Sequence, residues 1–297
     1  MKKYFTFVII SVLMTTIRSS SAQENPNIFK YKVGDFDVFL LSEGQQTGKS
    51  SILIGASGEI IKQYTSNGSF PNATNAFLVK TPDKNVLIDA GYGKEVTDNL
   101  KSTGLNPEDI DIVLITHMHG DHIGGLLSDG EIAFPSAVIY LPEQEYNYWM
   151  SDEEMKKLPE NKHNGFINVR NVVKRYGDKI KLFHPYNLGE ASHELLPGIS
   201  GIFTPGHTPG HTAFLVKSGQ AQLLIWGDLT HAMAVQMPHP EISVTYDVDP
   251  DMARISRMKI LEYVAQNKIP IAGMHIAFPA IGTIVSREKG FEFIPVK

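Results

Sequence analysis

Residues 110–122 read IDIVLITHMHGDH, an almost wholly apolar run that ends in three histidines and one aspartate within six positions. A run without polar alternation is what a strand buried on both faces gives, and functional loops sit at such strand ends. In extended chain, residues two apart point the same way, so His117 and His119 approach one point from one side. Gly120 permits a sharp turn, after which Asp121 and His122 face a different point. The spacing itself suggests two metal ions rather than one. Chance produces H-x-H-x-D-H in about one chain in a thousand of this length. A polar surface loop is a poorer account of imidazoles fed by a core strand.

Four ligands do not fill two metal shells, and further candidates stand at other strand ends. TPGHTPGHT, residues 204–212, follows the apolar run 199–203 and offers His207 and His211. LLIWGDLTH offers Asp228, and IPIAGMHIAFP offers His275, each directly after an apolar stretch. The chain has 11 histidines and no cysteine, so disulfides are excluded and any metal site must use imidazole and carboxylate.

Runs with strand character recur at 36–41, 76–80, 86–89, 110–116 and 137–141, then at 201–204, 213–216, 223–226 and 269–274. Helices are predicted over 94–102, over 166–176 with Phe166, Val169, Val173 and Tyr176 in register, and over 251–266. The last follows Pro250 and aligns Met252, Ile255, Met258 and Leu261. Strands mixed with helices in both halves point to two packed sheets with helices outside. Residues 42–75, polar and rich in Gly and Ser, read as a long loop with one short strand near Ile52. Asn67 and Asn72 match the glycosylation pattern, which is read as incidental. The acidic run Asp152-Glu153-Glu154 is a solvated helix start. His163, His184, His193 and His239 lie in polar or proline-containing stretches and are read as surface or loop positions.

Residues 1–22 have the pattern of an export signal: Lys2 and Lys3, an apolar stretch, then Ser20-Ser21-Ala22 before Gln23. The apolar stretch, about 14 residues, is short of the ~20 that span a bilayer. The expectation is a cleaved signal peptide, a single domain over 23–297, and a periplasmic or secreted product without stable membrane association. A net charge of −5 argues against nucleic acid as a partner; a small molecule is expected, and a homodimer is compatible.

The order H-x-H-x-D-H, GHTPGH, GD and a late histidine resembles the metallo-β-lactamase superfamily. The C-terminal half is similar to methyl parathion hydrolase-like proteins in WGDLTHAMAVQ, in YDVDPDMARISR and in HIAFPAIG through GFEFIPV. The ligand order also resembles dinuclear zinc lactonases that open N-acyl homoserine lactones. The resemblance implies an αββα sandwich, an α/β fold of two mixed sheets with helices on the outer faces. It implies that His117, His119 and His207 hold one zinc, that Asp121, His122 and His275 hold the other, and that Asp228 bridges them together with a hydroxide. Manganese, cobalt or iron could occupy such sites. His211 is then a hydrogen-bonding neighbour, and Asp89 lies beneath the ligand loop. His231 stands where some lactonases place a substrate-contacting tyrosine, so Asp121, Asp228 and His231 carry the catalytic expectation.

Two divalent ions about 3.5–4 Å apart generate hydroxide near neutral pH and accept developing negative charge. No serine or cysteine nucleophile is then needed, which fits the absence of cysteine and of G-x-S-x-G. A lactone carbonyl attacked by the hydroxide is the leading expectation, organophosphate triester or aryl ester hydrolysis the alternative. A β-lactamase and a non-catalytic zinc-binding protein come further behind. Substrate walls are expected in the 52–78 region and around residues 233–237.

Overall fold

A computed structural model describes residues 25–297; the export signal read in residues 1–22 and its cleavage before Gln23 lie outside the described residues. The first sheet is built from β1 (Ile28–Val33), β2 (Phe36–Lys49), β3 (Ser69–Lys80), β4 (Asn85–Ile88), β5 (Ile112–Leu114), β6 (Val138–Pro142) and β7 (Ile180–Phe183), side by side in that order. Neighbours from β1 to β4 run antiparallel and those from β4 to β7 parallel. Parallel neighbours need long crossovers, which here carry α1 (Lys94–Ser102), α2 (Glu143–Met150) and α3 (His163–Tyr176). The second sheet contains β8 (Ile199–Phe203), β9 (Thr212–Ser218), β10 (Ala221–Ile225), β11 (Ile271–Ala272), β12 (Ile281–Ser286) and β13 (Phe291–Pro295). Its one parallel pair, β10 with β11, is joined through α4 (Pro250–Asn267).

The period-2 geometry of strands explains why the central runs are apolar throughout. Leu40, Phe77, Val79, Val86, Ile88, Ile112 and Leu114 point into the core shared with the second sheet and α4. Their immediate neighbours Leu41, Ala76, Leu78, Leu87 and Val113 point the other way, into a core beneath α1, α2 and α3. Both faces of the sheet are covered, so neither can be polar. This is the expected sandwich of two mixed sheets with outer helices.

Two local expectations need correction. In α4 the aligned set Met252, Ile255, Met258 and Leu261 is not the buried face: Met252 is 39% and Ile255 37% exposed. A strict three-residue spacing winds around a helix of 3.6 residues per turn. The buried stripe is Ala253, Arg257, Ile260, Leu261 and Val264, with Asp249 capping the first turn by accepting from Met252 N at 2.9 Å. The second correction concerns residues 42–75. They are not a long loop: β2 continues to Lys49 and pairs with the start of β3 as a two-stranded arm, from Gln45 opposite Ala73 to Lys49 opposite Ser69. The arm stands free of the main sandwich core, so its strands carry polar residues and no hydrophobic alternation betrays them. At its tip the helix Gly58–Tyr64 packs through Ile60 and Tyr64 on Phe70, Ala232, Val235 and Ile242. Leu53–Ile54 forms the short strand expected near Ile52, pairing with Ser243–Val244. Strands β1, β7, β12 and β13 were not anticipated either; β1 is an edge strand whose Lys30 and Lys32 turn outward to Asp37.

Candidate metal centre

The ligand loop leaves β5 through Thr116, which is fastened to Asp89. Thr116 N donates to Asp89 Oδ1 at 2.8 Å, and Thr116 Oγ1 donates to Oδ2 at 2.7 Å. Asp89 therefore does lie beneath the loop. Beyond His119 the chain turns by forming the one-turn helix Gly120–Ile123, which carries Asp121 and His122. The expected reason for Gly120 does not hold: its φ is not among the positive ones, and a Cβ there would meet no atom within 4 Å. Gly120 instead faces an open cavity, where a side chain would occupy space. The glycines that the backbone does require lie in GHTPGH. Gly206 has φ +129° and a Cβ there would sit 2.0 Å from Ala253 N, so the loop docks directly on the start of α4.

From these strand ends the side chains converge. His119 Nδ1 lies 3.0 Å from both His117 Nε2 and His207 Nε2. Asp228 Oδ2 stands 3.6 Å from His117 Nε2 and 3.3 Å from His207 Nε2. On the other side, His275 Nε2 is 3.4 Å from Asp121 Oδ2, and His122 Nε2 is 3.7 Å from Asp121 Oδ1. Asp228 reaches this set too, at 3.2 Å from His122 Nε2 and 3.0 Å from His275 Nε2. The donors thus fall into His117, His119, His207 with Asp228, and Asp121, His122 with His275; Asp228 stands between them. His231 joins Asp228 and His275 in a third convergent group, its Nε2 3.1 Å from Asp228 Oδ2 and its ring stacked on His275. His211 stays outside the donor groups; its Nε2 accepts from Asp228 N at 2.9 Å and so fixes the backbone of that aspartate.

The donor set fits divalent ions. Nitrogens bound tetrahedrally at ~2.0–2.1 Å from a zinc lie roughly 3.3 Å apart, close to the spacing of the three imidazoles. His122 Nε2 and Asp228 Oδ1 are buried and 3.2 Å apart, yet neither makes a well-formed hydrogen bond among the described residues. Such orphans are costly unless a cation satisfies both. Electrostatics agree: burial would raise the Asp228 carboxyl, yet His122, His275, His117 and His231 hold it well below the usual carboxylate range. Burial pulls His119 down to about 3, helped by His207, so the ring is neutral and keeps one nitrogen lone pair for a cation. His207 goes the opposite way: against burial, hydrogen bonds with Asp228 and Asp247 raise it to about 9.

The groups that orient the ligands were mostly invisible in the sequence. His122 Nδ1 meets Asp89 Oδ2 at 2.6 Å and His207 Nδ1 meets Asp247 Oδ1 at 2.9 Å. His275 Nδ1 donates to the Ala73 carbonyl at 2.8 Å. Asp247 also accepts from Val244 N at 3.0 Å through Oδ2. Its only sequence signal is a place in the segment YDVDPDMARISR. Because partners of this kind set ring orientation and basicity, Asp247→Ala is expected to lower metal affinity or turnover by about 10–100-fold, measured as zinc retained per chain and as rate.

The site floors a cavity of about 950 Å³. Its lining includes Gln46, Asn72 and Thr74 of the β2–β3 arm, Ile52 beyond the arm's first strand, and the aromatic Tyr148 and Trp149. The expected walls are thus found in part: residues 233–237 do not line the cavity. That segment lies beneath it, where Gln236 Oε1 accepts from His231 N at 2.8 Å. Asn72 is committed as well, donating to the His231 carbonyl at 2.7 Å. The other four histidines stay away from the centre; His184 is on the surface beside Glu143, at 3.0 Å.

A family model described as metallo-beta-lactamase superfamily matches residues 70–267. An N-acyl homoserine lactonase of Bacillus cereus is 28% identical over 249 residues, 74% of this chain and 84% of that one. Among solved structures, the hydrolase AbOPH of the beta lactamase superfamily is 30% identical with a TM-score of 0.81, covering 93% of this chain and 99% of that chain. AidC, a dizinc quorum-quenching lactonase, is 28% identical with a TM-score of 0.80, covering 91% and 98%. Sequence, topology and the convergence of histidine and aspartate at the sheet ends agree: this chain belongs to the metallo-β-lactamase superfamily and is one of its hydrolases.

Proposed function

We propose that the protein is an exported dinuclear zinc lactonase that opens N-acyl homoserine lactones. The observation that carries this reading is a double set of metal donors at the floor of a 950 Å³ cavity whose lining includes the aromatic Tyr148 and Trp149. A polar ring would sit on the donors while an acyl chain lies against Tyr148 and the exposed edge of Trp149. Similarity to the Bacillus cereus lactonase and to AidC supports the substrate class. His117, His119 and His207 would hold one ion, Asp121, His122 and His275 the other, and Asp228 both. Nitrogen and oxygen donors favour zinc, with manganese, cobalt or iron compatible.

Such a pair of ions would supply a hydroxide nucleophile at neutral pH and positive charge beside the oxygen that becomes negative. The chain's own residues do the rest. Asp228 orders the imidazoles around its carboxylate, and His211 keeps its backbone in place. His231, its imidazole pulled down to about 4 by burial, is neutral at pH 7 and held on the cavity floor through its backbone by Gln236 and Asn72. It is placed to hydrogen-bond the substrate or the leaving oxygen. Asp121, whose side chain is 21% exposed, lines the cavity and would present the second ion to the substrate.

The aromatic lining also suits an aryl leaving group, which favours phosphotriester or aryl ester hydrolysis as a second reading. Zinc-loaded protein should be assayed against short and long acyl homoserine lactones, methyl parathion, an aryl ester and a chromogenic β-lactam. Lactones are expected to give a kcat/KM at least about tenfold above every other class, a gap worth about 1.4 kcal/mol. Organophosphate turnover exceeding lactone turnover would reverse the order of the two readings.

A further inference from the structure

We propose that Glu145 is a positioning residue for the three-histidine group, a role that rests on reading the centre as a two-ion site. Glu145 lies on α2 and is fully buried. Four donors converge on its carboxylate. Oε1 accepts from Met118 N at 2.9 Å and from Trp149 Nε1 at 2.6 Å. Oε2 accepts from Thr208 Oγ1 at 2.7 Å and from Gly210 N at 3.0 Å. Met118 stands between His117 and His119, and Thr208 directly follows His207. The Trp149 indole packs edge-on against His119, with ring centroids 5.8 Å apart. One side chain therefore ties a loop of the first sheet to a loop of the second and fixes the aromatic ring beside them. These are the parts that bring His119 Nδ1 to 3.0 Å from both partner nitrogens.

The contact is intimate on the backbone side as well. A Cβ on Gly210 would lie 2.1 Å from Glu145 N, so the GHTPGH loop seats directly on α2. Burying a carboxylate with no ion pair is expensive, and a well-packed apolar residue commonly fills such a space at less cost. What the charge achieves here is four simultaneous bonds. Only a carboxylate offers acceptor sites on both oxygens; a glutamine would turn an amide donor toward two of the four donors. None of the four bonds reaches Asp121, His122 or His275; the His122 ring is oriented by Asp89 and the His275 ring by the Ala73 carbonyl. Loss of Glu145 therefore loosens one donor group and spares the other.

The test uses the full chain loaded with zinc, as wild type, Glu145→Gln, Thr208→Val and the core control Val264→Ala. Zinc per chain is followed through timed dialysis against a chelator, with circular dichroism and Tm recorded; cobalt-loaded samples identify the emptied site by absorbance. Glu145→Gln is expected to release one ion about 10–100-fold faster than wild type, while the second ion leaves at the wild-type rate. Thr208→Val, which removes one bond of four, should show the same selectivity at roughly threefold, as expected for one modest hydrogen bond. Val264→Ala should lower Tm and leave both release rates unchanged, which separates positioning from general stability. Folded Glu145→Gln that releases both ions at wild-type rates, or both equally fast, overturns the proposal. Should Glu145→Gln not fold, Thr208→Val decides by the same criterion. Wild-type protein that takes up a single ion refutes the two-ion reading alone, and release of that ion then tests Glu145; uptake of none overturns both.

Discussion

Alanine at Asp228 is expected to cut hydrolysis by at least about a thousandfold while the protein stays folded. The carboxylate stands within 3.0–3.6 Å of nitrogens from His275, His231, His122, His207 and His117. Among the described residues it is the carboxylate that approaches histidines of both donor groups. Removing it leaves crowded imidazoles with no negative partner at their centre, and no other side chain can join the two sets. Metal-assisted charge stabilisation is worth several kcal/mol, and each 1.36 kcal/mol is tenfold in rate. Asn at this position keeps the shape without the charge, so it should lie near alanine rather than near wild type. The measurements are kcat/KM on the best substrate, zinc per chain and the far-ultraviolet circular dichroism spectrum. A folded D228A protein with turnover within tenfold of wild type would sink the assignment of Asp228 to both ions.

Complete removal of the ions is expected to abolish turnover and to lower Tm by about 10 °C, both restored by added zinc. An ion at a thousand times its Kd stabilises by about 4.1 kcal/mol, and each kcal/mol moves Tm by about 2–4 °C in a chain of this size. Zinc uptake should also depend on pH in a definite direction. In the ion-free chain, hydrogen bonds with Asp228 and Asp247 keep His207 protonated up to about pH 9. That proton must leave before the nitrogen can bind, so apparent affinity rises with pH. Titrations at pH 6.5, 7.5 and 8.5 should show Kd falling by up to about tenfold per unit, levelling off above pH 9. A Kd independent of pH over this range would show that ion binding displaces no proton from His207.

The candidate ligands were legible because each is a ligand-type residue placed directly after an apolar strand, a pattern that local sequence displays. Asp89 was legible for the same reason. The groups that orient them were not. Asp247 sits in a polar stretch with several other acids, and Glu145 lies in EQEYNYWM, where it looks like any helical glutamate. The Ala73 carbonyl has no side chain to announce it. The fold showed the same division. Strands covered on both faces stood out as apolar runs, whereas the β2–β3 arm carries polar residues because much of it borders the cavity. The buried face of α4 was misjudged because three-residue spacing imitates amphipathicity over two turns and then drifts off the face.

The same arm restricts how the protein can change over generations. Adjacent positions of β3 point to opposite sides, and here Asn72 holds the His231 backbone while the neighbouring Ala73 carbonyl holds the His275 ring. An insertion or deletion of one residue in the stem, between Gln45–Lys49 and Ser69–Ala73, would invert both contacts at once. The helix Gly58–Tyr64 at the tip touches neither His231 nor His275 and packs through a small separate apolar cluster and an edge contact of Tyr64 with His239. Length variation that retunes the cavity is therefore confined to the tip, and the stem inherits the rigidity of the catalytic floor.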